Sequence, residues 1–218
     1  MQRGGSVVDD PKRFWRVVPH AEHYERGRFG HLWGRLYRFI EEGAIRRAMG
    51  ALPRTGRSLD AACGTGRITA LLRREGFATP LGCDISRAMI SVARRQLEQI
   101  EFLQTDATSL PFSDDSFDLV TCIGLLMHLD GDTRVRVLKE LGRISRRPIV
   151  IQYGVVGAFL RLGARLTGRQ PGAVRYPVGE AELRRDLERS GLRELARYWV
   201  LRPFSSSVIL VLTKHRPV

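Results

Sequence analysis

The chain has 218 residues, 43% of them hydrophobic, and a formal charge of +13. That length suits one domain with a full core. No apolar run approaches the ~20 residues of a membrane span, and the N-terminus lacks the apolar stretch of a signal peptide.

In chain order, the first signal is helical. Phe29, Leu32, Trp33, Leu36, Tyr37, Ile40 and Ala44 recur at three- and four-residue spacing, with arginines and glutamates between them. Strands are then expected near 58–62, 80–84, 100–104, 117–123 and 147–153, alternating with helices near 66–76, 87–99, 132–146 and 180–190. Such alternation predicts a parallel sheet wound by right-handed crossovers, with helices on both faces. The last two apolar runs, GLRELARYWVLRP and SSSVILVLTK, flank a turn region at Pro203–Ser207 and read as a closing antiparallel pair. Residues 154–179 form a connection longer than usual. Its first half is expected to be helical, with Arg161, Arg165 and Arg169 on one face. It should leave from the carboxyl edge of the sheet, where ligands bind in such folds, and serve as a substrate lid.

The chemistry concentrates in LDAACGTGRIT, Leu59 to Thr69, which reads as strand, glycine turn and helix. Gly64 and Gly66 allow close backbone approach to a ligand. Asp84 lies twenty residues after Gly64, at the end of the second strand, where a carboxylate can accept both hydroxyls of a ribose. A dinucleotide loop would carry a third glycine where Thr69 stands. That makes a nicotinamide-dependent oxidoreductase improbable. An acid, Asp60, precedes the loop instead. Cys63, Cys83 and Cys122 show no metal-binding spacing, which points to buried reduced thiols in a cytoplasmic protein and to no metal.

The string D-x-x-C-G-T-G with Asp84 resembles motif I and its acidic follower in the class I S-adenosylmethionine-dependent methyltransferases, and the likeness extends from about Ser58 to Lys214. It implies a Rossmann-like, doubly wound α/β fold: a mostly parallel seven-stranded sheet with an antiparallel last strand. Residues 58–218 would form this domain and residues 1–57 a helical cap over the cofactor site. The implied cofactor is S-adenosylmethionine, with S-adenosylhomocysteine as product. The resemblance assigns Asp60, Ala62, Gly64 and Gly66 to its amino-acid end, Asp84 to the ribose, and Asp106 and Ala107 to the adenine, with Ile85 also in contact with the cofactor. Met89 would wall the adenine pocket, and Cys122 and Ile123 would line the cofactor. Small-molecule and quinone-type members often carry a histidine where His128 stands, and this is the first candidate for a base. Tyr24 would close the pocket from the N-terminal segment, and Gln152 and Tyr153 would reach the acceptor from the end of the fifth strand. Gly124 and Met127 depart from the family pattern, which often has acids nearby.

The charge is uneven. Residues 1–57 carry a net +6 and residues 154–218 a net +7, whereas residues 58–153 are neutral. Arginine outnumbers lysine 33 to 3, as compositional bias would produce. A basic rim would equally attract an anionic or lipid-like acceptor or a membrane surface. RNA methylation is a competing reading, but no aromatic-interleaved basic strand for stacking bases is visible. A non-catalytic binding protein of the same fold is another, against which the intact acidic set argues. The position after the fourth strand reads CIGL rather than (N/D/S)PP(Y/F), which disfavours amino methylation of bases. A small-molecule O- or C-methyltransferase is the leading expectation, and oligomeric state stays open.

Overall fold

The computed structural model describes residues 27, 29–50, 52–155, 178–201 and 207–215. An N-terminal helix, α1 (Leu32–Met49), precedes the alternating core: β1 (Ser58–Ala61), α2 (Arg67–Arg74), β2 (Pro80–Asp84), α3 (Arg87–Gln96), β3 (Glu101–Gln104) and β4 (Leu119–Cys122). A 3₁₀ turn (Leu126–His128) leads into α4 (Gly131–Ile144) and β5 (Ile149–Gly154). The chain closes with α5 (Glu180–Ser190), β6 (Leu192–Trp199) and β7 (Ser207–Lys214).

The seven strands form one sheet in the order β3-β2-β1-β4-β5-β7-β6. Strands β1 to β5 are mutually parallel; β7 inserts antiparallel between β5 and β6. The expected doubly wound architecture is therefore present, antiparallel last strand included. Its elements are one to three residues shorter than the sequence pattern suggests at several ends, where apolar periodicity outlasts the hydrogen-bond ladder.

Alternation along the strands builds two cores. On β5 and β7, Ile149, Ile151, Tyr153, Val208, Leu210 and Leu212 face α4 and α5, joining Val137, Leu138, Leu141, Leu183 and Leu187. Val150, Ile209 and Val211 face the other side and pack with Ala44, Ile45 and Met49 of α1 and with Ile68, Leu71 and Leu72 of α2. Side chains at i and i+2 share a sheet face, so period-two apolar strands demand helices on both sides.

Helix α1 departs from the simple amphipathic reading. Leu32 (78%), Trp33 (76%) and Phe39 (73%) are largely exposed, whereas Glu41 and Glu42 are buried. The helix packs through its C-terminal half, and its N-terminal apolar residues face outward. Of the long connection after β5, residues 156–177 lie outside the described residues, and with them the expected lid helix. Its two ends meet: Val155 pairs with Val178, and the Val178 amide donates to the Gly154 carbonyl at 3.1 Å.

Candidate active site

Strand order reverses between β1 and β4, so the loops leaving their carboxyl ends diverge and open a crevice. A pocket occupies it. The turn after β1 forms its floor. Ala62, Gly64 and Gly66 all have positive φ, at 58°, 56° and 86°. Three left-handed residues in five fold the chain back into α2 within one tight turn. A side chain at Gly64 would meet nothing within 4 Å, whereas one at Gly66 would place its Cβ 2.8 Å from Leu97 Cδ1. Gly64 thus faces open space in the pocket. Gly66 is absent from the pocket lining and instead permits close packing of α2 on α3 and β3.

Asp84 ties two loops together. Its Oδ2 accepts the Gly64 amide at 2.9 Å and its Oδ1 accepts the Ser86 amide at 2.8 Å. Burial raises its pKa above the ordinary carboxylate value, and the amides pull against that. Asp60 is more deeply placed. Thr69 Oγ1 donates to its Oδ2 at 2.7 Å, and Thr121 Oγ1 donates to its Oδ1 at 3.0 Å. Desolvation nonetheless raises its pKa to about 6. On the opposite wall, Asp106 Oδ1 accepts both the amide and the hydroxyl of Thr108, at 2.9 and 2.7 Å. Ile85, Met89, Ala107 and Ile123 complete the expected lining, and Ala62 joins them.

Four other expected residues lie outside the lining. Cys122 is fully buried in the core on the α4 side of the sheet; its neighbour Ile123 reaches the pocket instead, as strand alternation requires. Tyr153 is also fully buried, away from the pocket. Its hydroxyl donates to Asp186, which also accepts Arg134 Nε at 2.8 Å. Burial and the neighbouring carboxylate drive the phenol pKa far upward, so it cannot serve as a base. Gln152 points to the other face, where its Nε2 donates to Glu41 Oε1 at 2.7 Å. His128 sits half-buried in the 3₁₀ turn, just beyond the lining residues Gly124 and Leu125, and is not itself among them. Tyr24 lies outside the described residues.

The structure adds residues the motif did not single out. Arg67, at the start of α2, lines the pocket with only 11% of its side chain exposed. Its Nη2 donates to Glu41 Oε2 at 2.7 Å, while its buried Nη1 makes no hydrogen bond and lies 3.6 Å from Glu42 Oε1. Phe29, three residues before α1, lies 5.1 Å from that guanidinium and closes one side of the pocket. Leu125, Leu129 and Val137 supply an apolar wall from β4 to α4. Cys63 and Cys83 also line the site, but burial pushes the first thiol well up and the second to about 12, so both stay protonated at neutral pH.

A family model described as a methyltransferase domain matches residues 59–147, the span from motif I through α4. Residues 59–147, about two fifths of the chain, are thus similar to a methyltransferase domain. Among curated relatives, a demethylmenaquinone methyltransferase from Clavibacter sepedonicus is 45% identical over 96 residues, covering 40% of this chain and 39% of the relative. A ubiquinone/menaquinone biosynthesis C-methyltransferase from Desulfotalea psychrophila is 37% identical over 130 residues, covering 54% and 53%. The chain thus spans about two fifths to one half of the length of these relatives. Among solved structures, magnesium protoporphyrin IX methyltransferase from Synechocystis PCC 6803, with bound S-adenosylhomocysteine, aligns with a TM-score of 0.68 at 22% identity, covering 84% of this chain and 88% of that one. At that identity the likeness speaks to the fold.

The pocket suits S-adenosylmethionine chemically. S-adenosylmethionine carries an ammonium, a carboxylate, a ribose diol and an adenine. The site offers carboxylates in Asp60, Asp84 and Asp106, an open cradle at Gly64, and in Arg67 a buried cation with one unsatisfied donor nitrogen.

Proposed function

We propose that the domain binds S-adenosylmethionine in this pocket and transfers its methyl group to a small, largely apolar acceptor, with carbon or oxygen as the attacking atom. The observation that carries this reading is the pocket itself. Three acids and Arg67 gather around the Gly64 turn, while Leu125, Leu129 and Val137 form an apolar wall beside them. The quinone-type relatives favour an aromatic, lipid-like acceptor over a polar one.

In this reading Asp84 holds the ribose diol while the Gly64 and Ser86 amides keep its carboxylate oriented. Asp106 and the Ala107 amide meet the adenine, and Ile85 and Met89 sandwich the ring. Asp60 and Arg67 face the amino-acid end. The cofactor, when bound, supplies a sulfonium leaving group, so the protein contributes alignment and exclusion of water rather than covalent chemistry. A base is needed only where the acceptor must lose a proton in the transition state. His128, next to the wall residues, is the candidate for that step, and Tyr24 for closure over the acceptor.

Calorimetric titration with S-adenosylmethionine and S-adenosylhomocysteine, with NAD as control, tests the reading. Micromolar binding of the first two is expected, with at least a tenfold loss in Asp84→Ala. Radiolabelled methyl transfer to demethylated naphthoquinols then tests the acceptor class. NAD binding in place of the other two would overturn the proposal.

A further inference from the structure

The outward face of α1 gathers exposed apolar side chains. Leu32, Leu36 and Phe39 recur at four- and three-residue spacing and form one ridge, with Trp33 on its shoulder. These are four of the seven large apolar side chains that stand exposed among the described residues. Core demand does not explain them, because α1 already anchors itself through Ala44, Ile45, Ala48 and Met49. Exposed contiguous apolar patches mark interaction sites.

The charges around the ridge identify what it fits. Arg35 and Arg47 flank it, both exposed. The first turn of the helix holds no acid, and Glu41 and Glu42 are turned inward, where Arg67, Arg38 and Arg46 pair with them. Among the described residues of α1, the exposed charged side chains flanking the ridge are therefore basic. A leucine, tryptophan and phenylalanine ridge between arginines is the composition of a helix lying in a membrane interface, its apolar side chains below the headgroups and its guanidiniums among the phosphates. A second copy of the chain fits poorly, since it would bring the exposed arginines of both copies into one contact while Glu41 and Glu42 of α1 stay buried and paired.

We propose that this face of α1 docks the protein on an anionic lipid surface. Position gives the docking a purpose. Phe29, just before the helix, lines the pocket, so one wall of the pocket lies beside the leading end of the ridge. A protein held by this face receives an apolar acceptor directly from the bilayer. That consequence rests on the methyltransferase reading, whereas the docking does not.

Vesicle flotation of the purified chain tests it. Vesicles of phosphatidylcholine with one third phosphatidylglycerol should carry the wild type, and pure phosphatidylcholine far less. The double variant Leu36→Ser/Phe39→Ser should lose on the order of tenfold or more in partitioning. Arg35→Gln/Arg47→Gln should lose roughly fivefold per arginine on anionic vesicles only. Both pairs are exposed and outside the pocket, so unchanged S-adenosylhomocysteine binding and melting temperature establish that the variants are folded. Wild type that stays with the unbound fraction, or apolar variants that float equally well, would overturn the proposal. So would a concentration-dependent dimer in light scattering that the apolar variant dissolves, since a second copy would then cover the ridge. If vesicles bind and S-adenosylhomocysteine does not, docking stands and the methyltransferase reading falls.

Discussion

At Asp60, burial and hydrogen bonding act in opposite directions. Two threonine hydroxyls stabilise the anion, yet desolvation wins and the pKa rises from 3.8 to about 6. A raised pKa means the folded protein holds a proton that the unfolded chain has released. The stability this group contributes is therefore fully present below about pH 3.8 and is lost as pH rises through about 6. Asp60→Asn removes that dependence. Relative to wild type, the variant should gain on the order of 3 kcal/mol between pH 4 and pH 8, at about 1.4 kcal/mol for each pH unit separating the folded and unfolded titrations. Urea unfolding of the apoprotein at both pH values measures it, and a difference that stays flat would mean the carboxyl ionises freely in the fold. Tyr153 makes the converse case. It lies near the carboxyl end of β5, as an acceptor-facing residue would, but its even spacing from Ile149 and Ile151 sends it to the core. Tyr153→Phe should cost about 1–2 kcal/mol in thermal unfolding, through the lost bond to Asp186, and leave methyl-transfer kcat within about twofold.

At the level of elements, the turn from β1 to α2 shows why two glycines in one short loop are not equivalent. Gly66 needs its positive φ and has Leu97, Ala93 and Phe102 within 3.3 Å of where a Cβ would stand. Gly66→Ala should therefore destabilise the fold by about 2 kcal/mol or more, from φ strain plus overpacking. Gly64→Ala meets no atom and should cost only the φ strain, about 1 kcal/mol, while weakening S-adenosylhomocysteine binding by a larger factor than Gly66→Ala does. Chemical denaturation and calorimetry on the two variants separate these effects. The motif made both glycines legible as a tight turn. It could not divide their labour, because the residues that crowd Gly66 come from the end of α3, the residue after it, and β3, far downstream in the chain. Helix α1 was legible as a helix for the same local reason, its three- and four-residue spacing. Which face it buries was not, because the partners of Glu41 are Arg67 and Gln152, distant in sequence.

For the whole molecule, the pocket joins the two halves of the sheet at their point of divergence, so ligand binding should stabilise the entire fold. S-adenosylhomocysteine at about 100 times its Kd should add about 2.7 kcal/mol, raising Tm by roughly 5–10 °C for a chain of this size. NAD should leave Tm unchanged in the same differential scanning measurement. Apolar periodicity, the glycine turn and the spacing to Asp84 determined the strand and helix sequence, the parallel sheet with its closing antiparallel pair, and the placing of Asp60 and Asp84 beside the glycine turn. These are properties of local pattern, set by backbone geometry and by the period of burial within each element. Tertiary structure alone decided that Cys122 and Tyr153 face the core, that Arg67 and Phe29 join the pocket, and that α1 turns its glutamates inward and its leucines, tryptophan and phenylalanine outward. Each of those outcomes depends on which distant charge or side chain meets the residue in space, and a buried ion pair such as Glu41 with Arg67 can reverse the face that hydrophobicity alone would bury.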